Sequence, residues 1–174
     1  MVLLREPVRV VPLGYITRTV DGAVLTIGER HGAPKYGYTI TRDVEEFLAA
    51  IDISTVHTEF TDDEQRLLDA LHDSGIISLC PVSAGLPVVP MTRKPLTVAR
   101  HAVGYIVQVG EGGETRIVSE IGGQLVHMID GERTLQELVH ELAQDAPVDS
   151  LLEEATVFAQ AMRRVSAMTF EPAA

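Results

Sequence analysis

The segment 121–142 (IGGQLVHMIDGERTLQELVHEL) constrains the fold most, because it joins two helix patterns through a marked turn. Asp130 and Gly131 favour a tight turn, since glycine adopts positive φ without steric cost. Thr134 stands three residues before Glu137, which is the capping-box spacing at a helix start. An apolar stripe at i, i+3, i+4 and i+7 follows, made of Leu135, Leu138, Val139 and Leu142. The sequence predicts a short helix, a turn and a second helix.

Strand patterns precede this segment and a longer helix pattern follows it. The stretch 104–121 (GYIVQVGEGGETRIVSEI) alternates apolar and polar residues around Gly112 and Gly113, which is typical of a β-hairpin. Residues 149–166 (DSLLEEATVFAQAMRRVS) form the helix pattern. A strand pair followed by three helices is the plan of a winged helix.

The first half of the chain repeats parts of this plan. Residues 13–16 (LGYI) recur as 103–106 (VGYI), and Asp21-Gly22 again marks a hairpin turn. Helix patterns follow in both halves, at 41–48 and 62–79 and again at 134–139 and 150–170. Two interpretations stay open, a tandem repeat or a chance likeness between simple two-helix patterns. In a tandem repeat the first copy is degenerate, since 31–39 is Gly- and Pro-rich where the second copy has a helix.

These patterns predict an α+β protein of two winged-helix-like units, each a small antiparallel β-sheet followed by two or three α-helices. The predicted units are 1–79, which is degenerate, and 96–174. Between them, 80–95 (CPVSAGLPVVPMTRKP) holds four prolines, which forbid a helix and favour an extended segment. This segment is either a plain connector or an apolar strand that packs across both units.

Composition excludes several classes of protein. The net charge is −11 and the basic residues are scattered, whereas a surface that follows DNA phosphates needs clustered Lys and Arg. No apolar run approaches the roughly 18 residues of a membrane span. The N-terminus lacks a signal-peptide pattern, and Cys80 is the single cysteine. We therefore expect a cytoplasmic protein that binds neither nucleic acid nor membrane.

Signals for catalysis and metal binding are weak. The six histidines show no HxxxH, HExxH or CxxC spacing, so we expect no metal site and no cofactor. Cys80 precedes a proline and has no base nearby in sequence, which favours a buried structural thiol. The glycine-rich stretch 110–113 lacks a phosphate-binding spacing, and no pair of carboxylates indicates acid–base chemistry. The chain is therefore predicted to bind rather than to catalyse.

The turn phrase Asp130-Gly131-x-Arg133-Thr134, followed by spaced leucines, resembles the PqqD-like family. Members of that family are also called RiPP recognition elements, small winged-helix domains that hold the leader segment of a ribosomal precursor peptide for a modifying enzyme. The resemblance implies that the leader adds as a strand between the third strand and the last helix. On this chain those elements would be the strand 115–121 and the helix 151–162.

The last helix carries an apolar stripe too wide for a single narrow interface. Ordinary core packing is one explanation, and a groove wall in which alanines leave room for a guest side chain is the other. On the second interpretation, Arg116 would contact an acidic leader. The candidate peptide-binding residues are Thr115, Arg116, Ile117, Val118, Ser119, Glu120, Leu152, Ala155, Phe158, Ala159 and Met162.

The leading functional hypothesis is a non-catalytic partner protein that captures a precursor peptide and presents it to an enzyme encoded nearby, in a heteromeric complex. Tethering the leader would raise the local concentration of the peptide to be modified. The alternative is a structural accessory subunit that stabilises a catalytic partner without binding peptide. A winged-helix transcription regulator is a third possibility, which the net charge disfavours.

Overall fold

The computed structural model describes residues 2–28, 35–144 and 146–173. It shows an α+β protein with small antiparallel sheets, which confirms the predicted fold class at that level. The chain forms two compact units: Met1–Leu86 together with Phe170–Ala174 (unit 1), and Pro87–Thr169 (unit 2). The division falls inside the segment predicted as a linker. No local pattern in the sequence indicates that residues 170–174 belong to unit 1.

Unit 1 contains two three-stranded sheets and two α-helices within its described residues. Its elements are β1 (Val2–Pro12), β2 (Tyr15–Thr19), β3 (Gly22–Ile27), β4 (Tyr36–Ile40), α1 (Arg42–Ala50), β5 (His57–Phe60), α2 (Asp62–Asp73) and β6 (Ile77–Pro81). One antiparallel sheet has the order β5-β1-β6 and the other β2-β3-β4. β3 is therefore bonded on both sides.

The helix signals in unit 1 behave as the sequence predicts, with one exception. Thr61 and Glu64 form a capping box at the start of α2, and Thr41 caps α1. Gly75 follows the last turn of α2 with a φ of +70°, the left-handed conformation that ends helices. The helix pattern at 62–79 predicts that Leu67, Leu68 and Leu71 all face inward. Leu67 is exposed instead, because the buried face of α2 runs through Leu68 and Leu71.

Unit 2 contains, within its described residues, a three-stranded sheet that three helices follow along the chain. Its elements are β7 (Val88–Thr92), β8 (Leu96–His101), β9 (Gly104–Val109), β10 (Thr115–Val118), α3 (Glu120–Met128), α4 (Leu135–Ala143), α5 (Val148–Arg164) and β11 (Met168–Pro172), whose last residues belong to unit 1. The antiparallel sheet has the order β10-β9-β8, and β7 pairs with β11. α5 packs against α3 and α4, and α3 lies on β9.

The segment 80–95 contains regular secondary structure. Cys80 and Pro81 end β6, a 3-10 turn spans 82–84, and β7 occupies 88–92. Leu86, Val88 and Val89 are buried. The segment is thus ordered, and its apolar residues contribute to the protein interior.

The predicted strand 115–121 is too long. β10 ends at Val118, and the Ser119 hydroxyl accepts a hydrogen bond from the backbone N–H of Gly122. This bond caps α3 at Ser119, so Glu120 and Ile121 are helical rather than extended. The alternating sequence pattern continues across a point where the backbone has already turned.

The Asp130 turn joins α3 to α4 through a compact charge network. The Asp130 carboxylate accepts hydrogen bonds from the backbone N–H groups of Glu132 and Arg133 and from the Arg133 guanidinium. Arg133 also donates to the Met128 carbonyl and to Glu141. Burial would raise the pKa of Asp130, but the bonds from Arg133 and Glu132 outweigh it and lower that pKa to about 2. The motif that carries the family resemblance is therefore structural at these positions.

The capping box predicted at the start of α4 is present. The Thr134 hydroxyl accepts from the Glu137 backbone N–H, while the Glu137 carboxylate accepts from the Thr134 backbone N–H. The bonds that the Thr134 backbone N–H and hydroxyl donate to the Glu137 carboxylate lower the pKa of Glu137. In the described part of the chain, no helix has both the length and the apolar character needed to cross a membrane.

Candidate functional site

β10 is an edge strand. Its four residues pair with β9, from Thr115 opposite Gln108 to Val118 opposite Tyr105, and no second strand pairs with it in the described part of the chain. In an antiparallel ladder, the backbone groups of successive residues point alternately to the two sides. The Val109 N–H donates to the Glu114 carbonyl, so Glu114, Arg116 and Val118 face β9. The N–H and C=O groups of Thr115 and Ile117 consequently point to the open side.

A cleft of about 450 Å³ lies between this strand and α5. Ile117, Val118 and Ser119 form the strand wall. The residues of α5 that line the cleft are spaced three or four apart, so they lie on one face of the helix. They are Ser150, Glu153, Glu154, Val157, Phe158 and Ala161. The cleft thus combines free backbone groups with a continuous helix face.

Apolar side chains are exposed on both walls of this cleft. Ile117 is 62% exposed on the strand and Val157 is 61% exposed on the helix. Large apolar side chains left open on two facing walls are a common feature of binding surfaces. Glu153 and Glu154 are also exposed, and neither carboxylate forms a hydrogen bond or an ion pair with another described residue.

Two consecutive glycines in α3 set how closely the elements around the cleft approach. A Cβ atom built on Gly122 would lie 2.9 Å from Cδ2 of Phe158 and 3.1 Å from Cβ of Val118, while one on Gly123 would overlap the Tyr105 ring. Glycine costs helix stability, but here it allows Phe158 and Val118 to pack beside the helix. The absence of side chains at Gly122 and Gly123 therefore allows the cleft residues Val118 and Phe158 to lie close to α3.

The structure brings only some of the sequence-predicted site residues together. Ile117, Val118, Ser119 and Phe158 line the cleft, and Thr115 is exposed on the same strand. Glu120 is exposed in the first turn of α3, outside the cleft lining. Four predicted groove residues on α5 lie in the interior instead, at 6% exposure or less: Leu152, Ala155, Ala159 and Met162. Their burial favours the core-packing interpretation for these four.

Arg116 does not line the cleft either. Its guanidinium donates to the Glu114 carboxylate and to the Thr115 carbonyl, and its backbone faces β9. The expected contact between Arg116 and an acidic guest stays a prediction, and it would require Arg116 to exchange its bond with Glu114. The charges that border the cleft are negative, from Glu153 and Glu154.

Sequence reasoning missed most of the helix wall. Ser150, Glu153, Glu154, Val157 and Ala161 were not predicted, since the apolar stripe drew attention to the buried face. These residues lie on the face of α5 that adjoins the buried stripe, and they are spaced three or four residues apart. The sequence around Val157 contains no local signal that this valine is exposed, because it belongs to the same apolar pattern as the buried residues.

The histidines and the single cysteine are residues that could contribute to a metal site or provide a reactive thiol. No group of three His, Cys, Asp or Glu side chains there could hold a metal ion, and His31 lies outside them. Cys80 is buried as predicted, and burial raises the pKa of its thiol despite its hydrogen bond to Ser78. A neutral buried thiol is a poor nucleophile.

Comparison with models of protein families, with curated proteins and with solved structures found no match to this chain. The functional argument consequently rests on the geometry of the cleft.

Proposed function

We propose that unit 2 is a winged-helix, PqqD-like peptide-binding domain, which captures the leader of a ribosomal precursor peptide and presents it to a modifying enzyme. In this proposal the chain is a non-catalytic partner within a heteromeric complex. The observation that carries it is the open edge of β10 beside the apolar stripe of α5.

The unpaired side of β10 suits a peptide that binds by strand addition. Unpaired strand edges promote aggregation, and proteins ordinarily cover or shorten them. An extended peptide can pair with the N–H groups of Thr115 and Ile117 and with the Ile117 carbonyl, while the cleft receives its alternate side chains. The order of three strands and three helices in unit 2 agrees with the family plan, and it puts the third strand and the last helix on the two sides of the cleft.

Unit 1 does not offer the same edge. Its β3 lies between β2 and β4, so both of its sides are already bonded. We therefore assign peptide binding to unit 2 and expect one peptide per chain.

A peptide partner fits the charge of the chain better than DNA does. α3 and α4 contain no Lys or Arg, and the net charge is −11. A recognition helix in the major groove needs basic contacts to the phosphates. We expect no DNA shift at physiological salt, and tight binding with a steep salt dependence would favour the transcription-regulator hypothesis.

Calorimetric titration tests the proposal. The probe is the leader of a short precursor peptide encoded beside this chain, titrated into the wild type, Ile117→Pro and Ile117→Val. Proline removes the N–H that points to the open side, where edge strands tolerate it, so binding should be lost in a folded protein. Valine keeps the N–H and should bind as the wild type does.

The same experiment separates the alternatives. Equal affinity of folded Ile117→Pro and the wild type would contradict strand addition to β10. Absence of binding by the wild type, with co-purification of the neighbouring enzyme, would favour the structural accessory subunit.

A further inference from the structure

The helix wall of the cleft changes character along its length. Ser150, Glu153 and Glu154 make the N-terminal end polar and acidic, whereas Val157, Phe158 and Ala161 make the other end apolar. This gradient gives the cleft two distinct subsites, which we name the acidic subsite (Glu153, Glu154) and the apolar subsite (Val157, Phe158, Ala161).

The spacing of the two subsites fits an extended chain. Their centres are about five to six residues apart on α5, which is roughly 8 Å at 1.5 Å per residue. Two residues of a β-strand span about 6.8 Å, and side chains two apart lie on the same side. A peptide strand that extends beside α5 would therefore present residues i and i+2 to the two subsites.

The charge of the site selects one kind of guest. Glu153 and Glu154 are exposed and have no basic partner among the described residues, while Arg116 is already held by Glu114. A cationic side chain would form charge-assisted hydrogen bonds with these carboxylates. An acidic one would be repelled by them, and by the negative chain as a whole.

From this geometry we infer that the bound peptide carries an apolar residue and a Lys or Arg two positions apart. The apolar side chain enters the apolar subsite and the cation pairs with the acidic subsite. This inference rests on the proposed function and adds the chemistry of the guest, which reverses the acidic leader expected from Arg116.

Selection from a randomised peptide-display library tests it without knowledge of the natural peptide. The library is panned against the wild type, against the double variant Glu153→Gln/Glu154→Gln, and against Ile117→Pro with Ile117→Val as its control. Both glutamates are exposed, so the double variant should keep the melting temperature of the wild type. Selected peptides are then synthesised and titrated at low and high salt.

We expect wild-type selections to be enriched in peptides with an apolar residue and Lys or Arg at i and i+2. Their affinity should fall about tenfold in the double variant, and it should weaken at high salt because screening acts on exposed charges. The enrichment should disappear against Ile117→Pro and persist against Ile117→Val.

Two outcomes overturn different parts of the account. Peptides that need the Ile117 N–H, but are neutral or acidic and insensitive to the double variant, would overturn the inference while strand addition stands. Peptides that bind Ile117→Pro as well as the wild type would instead overturn the proposed function. Absence of any enrichment would also count against the proposed function.

Discussion

The two units contain the same hairpin with different surroundings. Gly14 directly precedes the hairpin β2–β3 in unit 1, and Gly104 is the first residue of the hairpin β9–β10 in unit 2. Both glycines have positive φ, and a tyrosine follows each of them. A side chain on either glycine would collide with a backbone carbonyl of the paired strand. In unit 1 the strand β4 covers the far side of β3, whereas the corresponding side of β10 is open.

Two matched residues show the consequence. Leu25 and Ile117 each precede the residue that pairs with the hairpin tyrosine, since Tyr15 lies opposite Thr26 and Tyr105 opposite Val118. Leu25 is 1% exposed and Ile117 is 62% exposed. The same local pattern thus occurs in a strand that is paired on both sides in unit 1 and in a strand that is paired on one side in unit 2. The difference depends on a third strand elsewhere in the chain.

Proline at these two matched positions should produce the largest difference in stability between the units. Leu25→Pro removes a bond between two strands and a buried side chain, so we expect it to lower the free energy of unfolding by more than about 3 kcal/mol. Ile117→Pro should cost far less, because its N–H points to solvent. Chemical denaturation of both variants measures the difference, and similar losses would contradict the assignment of β10 as an open edge.

Tryptophan in place of two different alanines of α5 tests which face of the helix borders the cleft. Ala159 is fully buried, so Ala159→Trp should overpack the interior and cost about 1–3 kcal/mol or more. Ala161 lines the cleft, so Ala161→Trp should keep the melting temperature and block the peptide. Melting curves with peptide titration provide the check. Unimpaired binding by Ala161→Trp would move the site away from α5.

Acid should weaken the turn that leads from α3 to α4 in unit 2. The pKa of Asp130 is about 2 when folded and near 4 when unfolded, so its carboxylate stabilises the fold above about pH 4. That contribution is lost as the pH falls toward 2. The melting temperature of Asp130→Asn should lie below that of the wild type at neutral pH, with the gap closing near pH 2. A gap independent of pH would show that the charge has no such role.

Arg116→Ala should have the smallest effect on binding. Its side chain is engaged by Glu114 at the surface, where ion pairs contribute little, and it lies outside the cleft. We expect peptide affinity to change by less than about twofold, whereas Glu153→Gln/Glu154→Gln changes it about tenfold. Titration of both variants with one selected peptide decides the order, and a larger loss for Arg116→Ala would restore the acidic-guest hypothesis.

Local signals in the sequence were sufficient for the parts that depend on neighbours along the chain. Thr61 with Glu64 and Thr134 with Glu137 predicted two capping boxes, and Asp130 with Gly131 predicted the turn, because each bond closes within a few residues. The hairpins of both units were visible for the same reason.

Features that depend on distant partners could not be found this way. An alternating pattern around Ser119 does not reveal that its hydroxyl starts a helix there. Nothing near Ala159 or Val157 tells which face of α5 is covered, since both belong to one apolar pattern and differ by their orientation toward other helices. The coverage of β3 by β4, and the place of Phe170 beside Gly14, likewise depend on contacts far apart in sequence.

Amide hydrogen exchange along β10, with and without the leader peptide, tests the central claim most directly. The N–H groups of Arg116 and Val118 already face β9, so the peptide should change their exchange little. Those of Thr115 and Ile117 face the open side, and a peptide added as a strand should slow their exchange strongly. Slowing at these two alternate residues is the result we predict. Unchanged exchange at both, under saturating peptide, would contradict strand addition to β10.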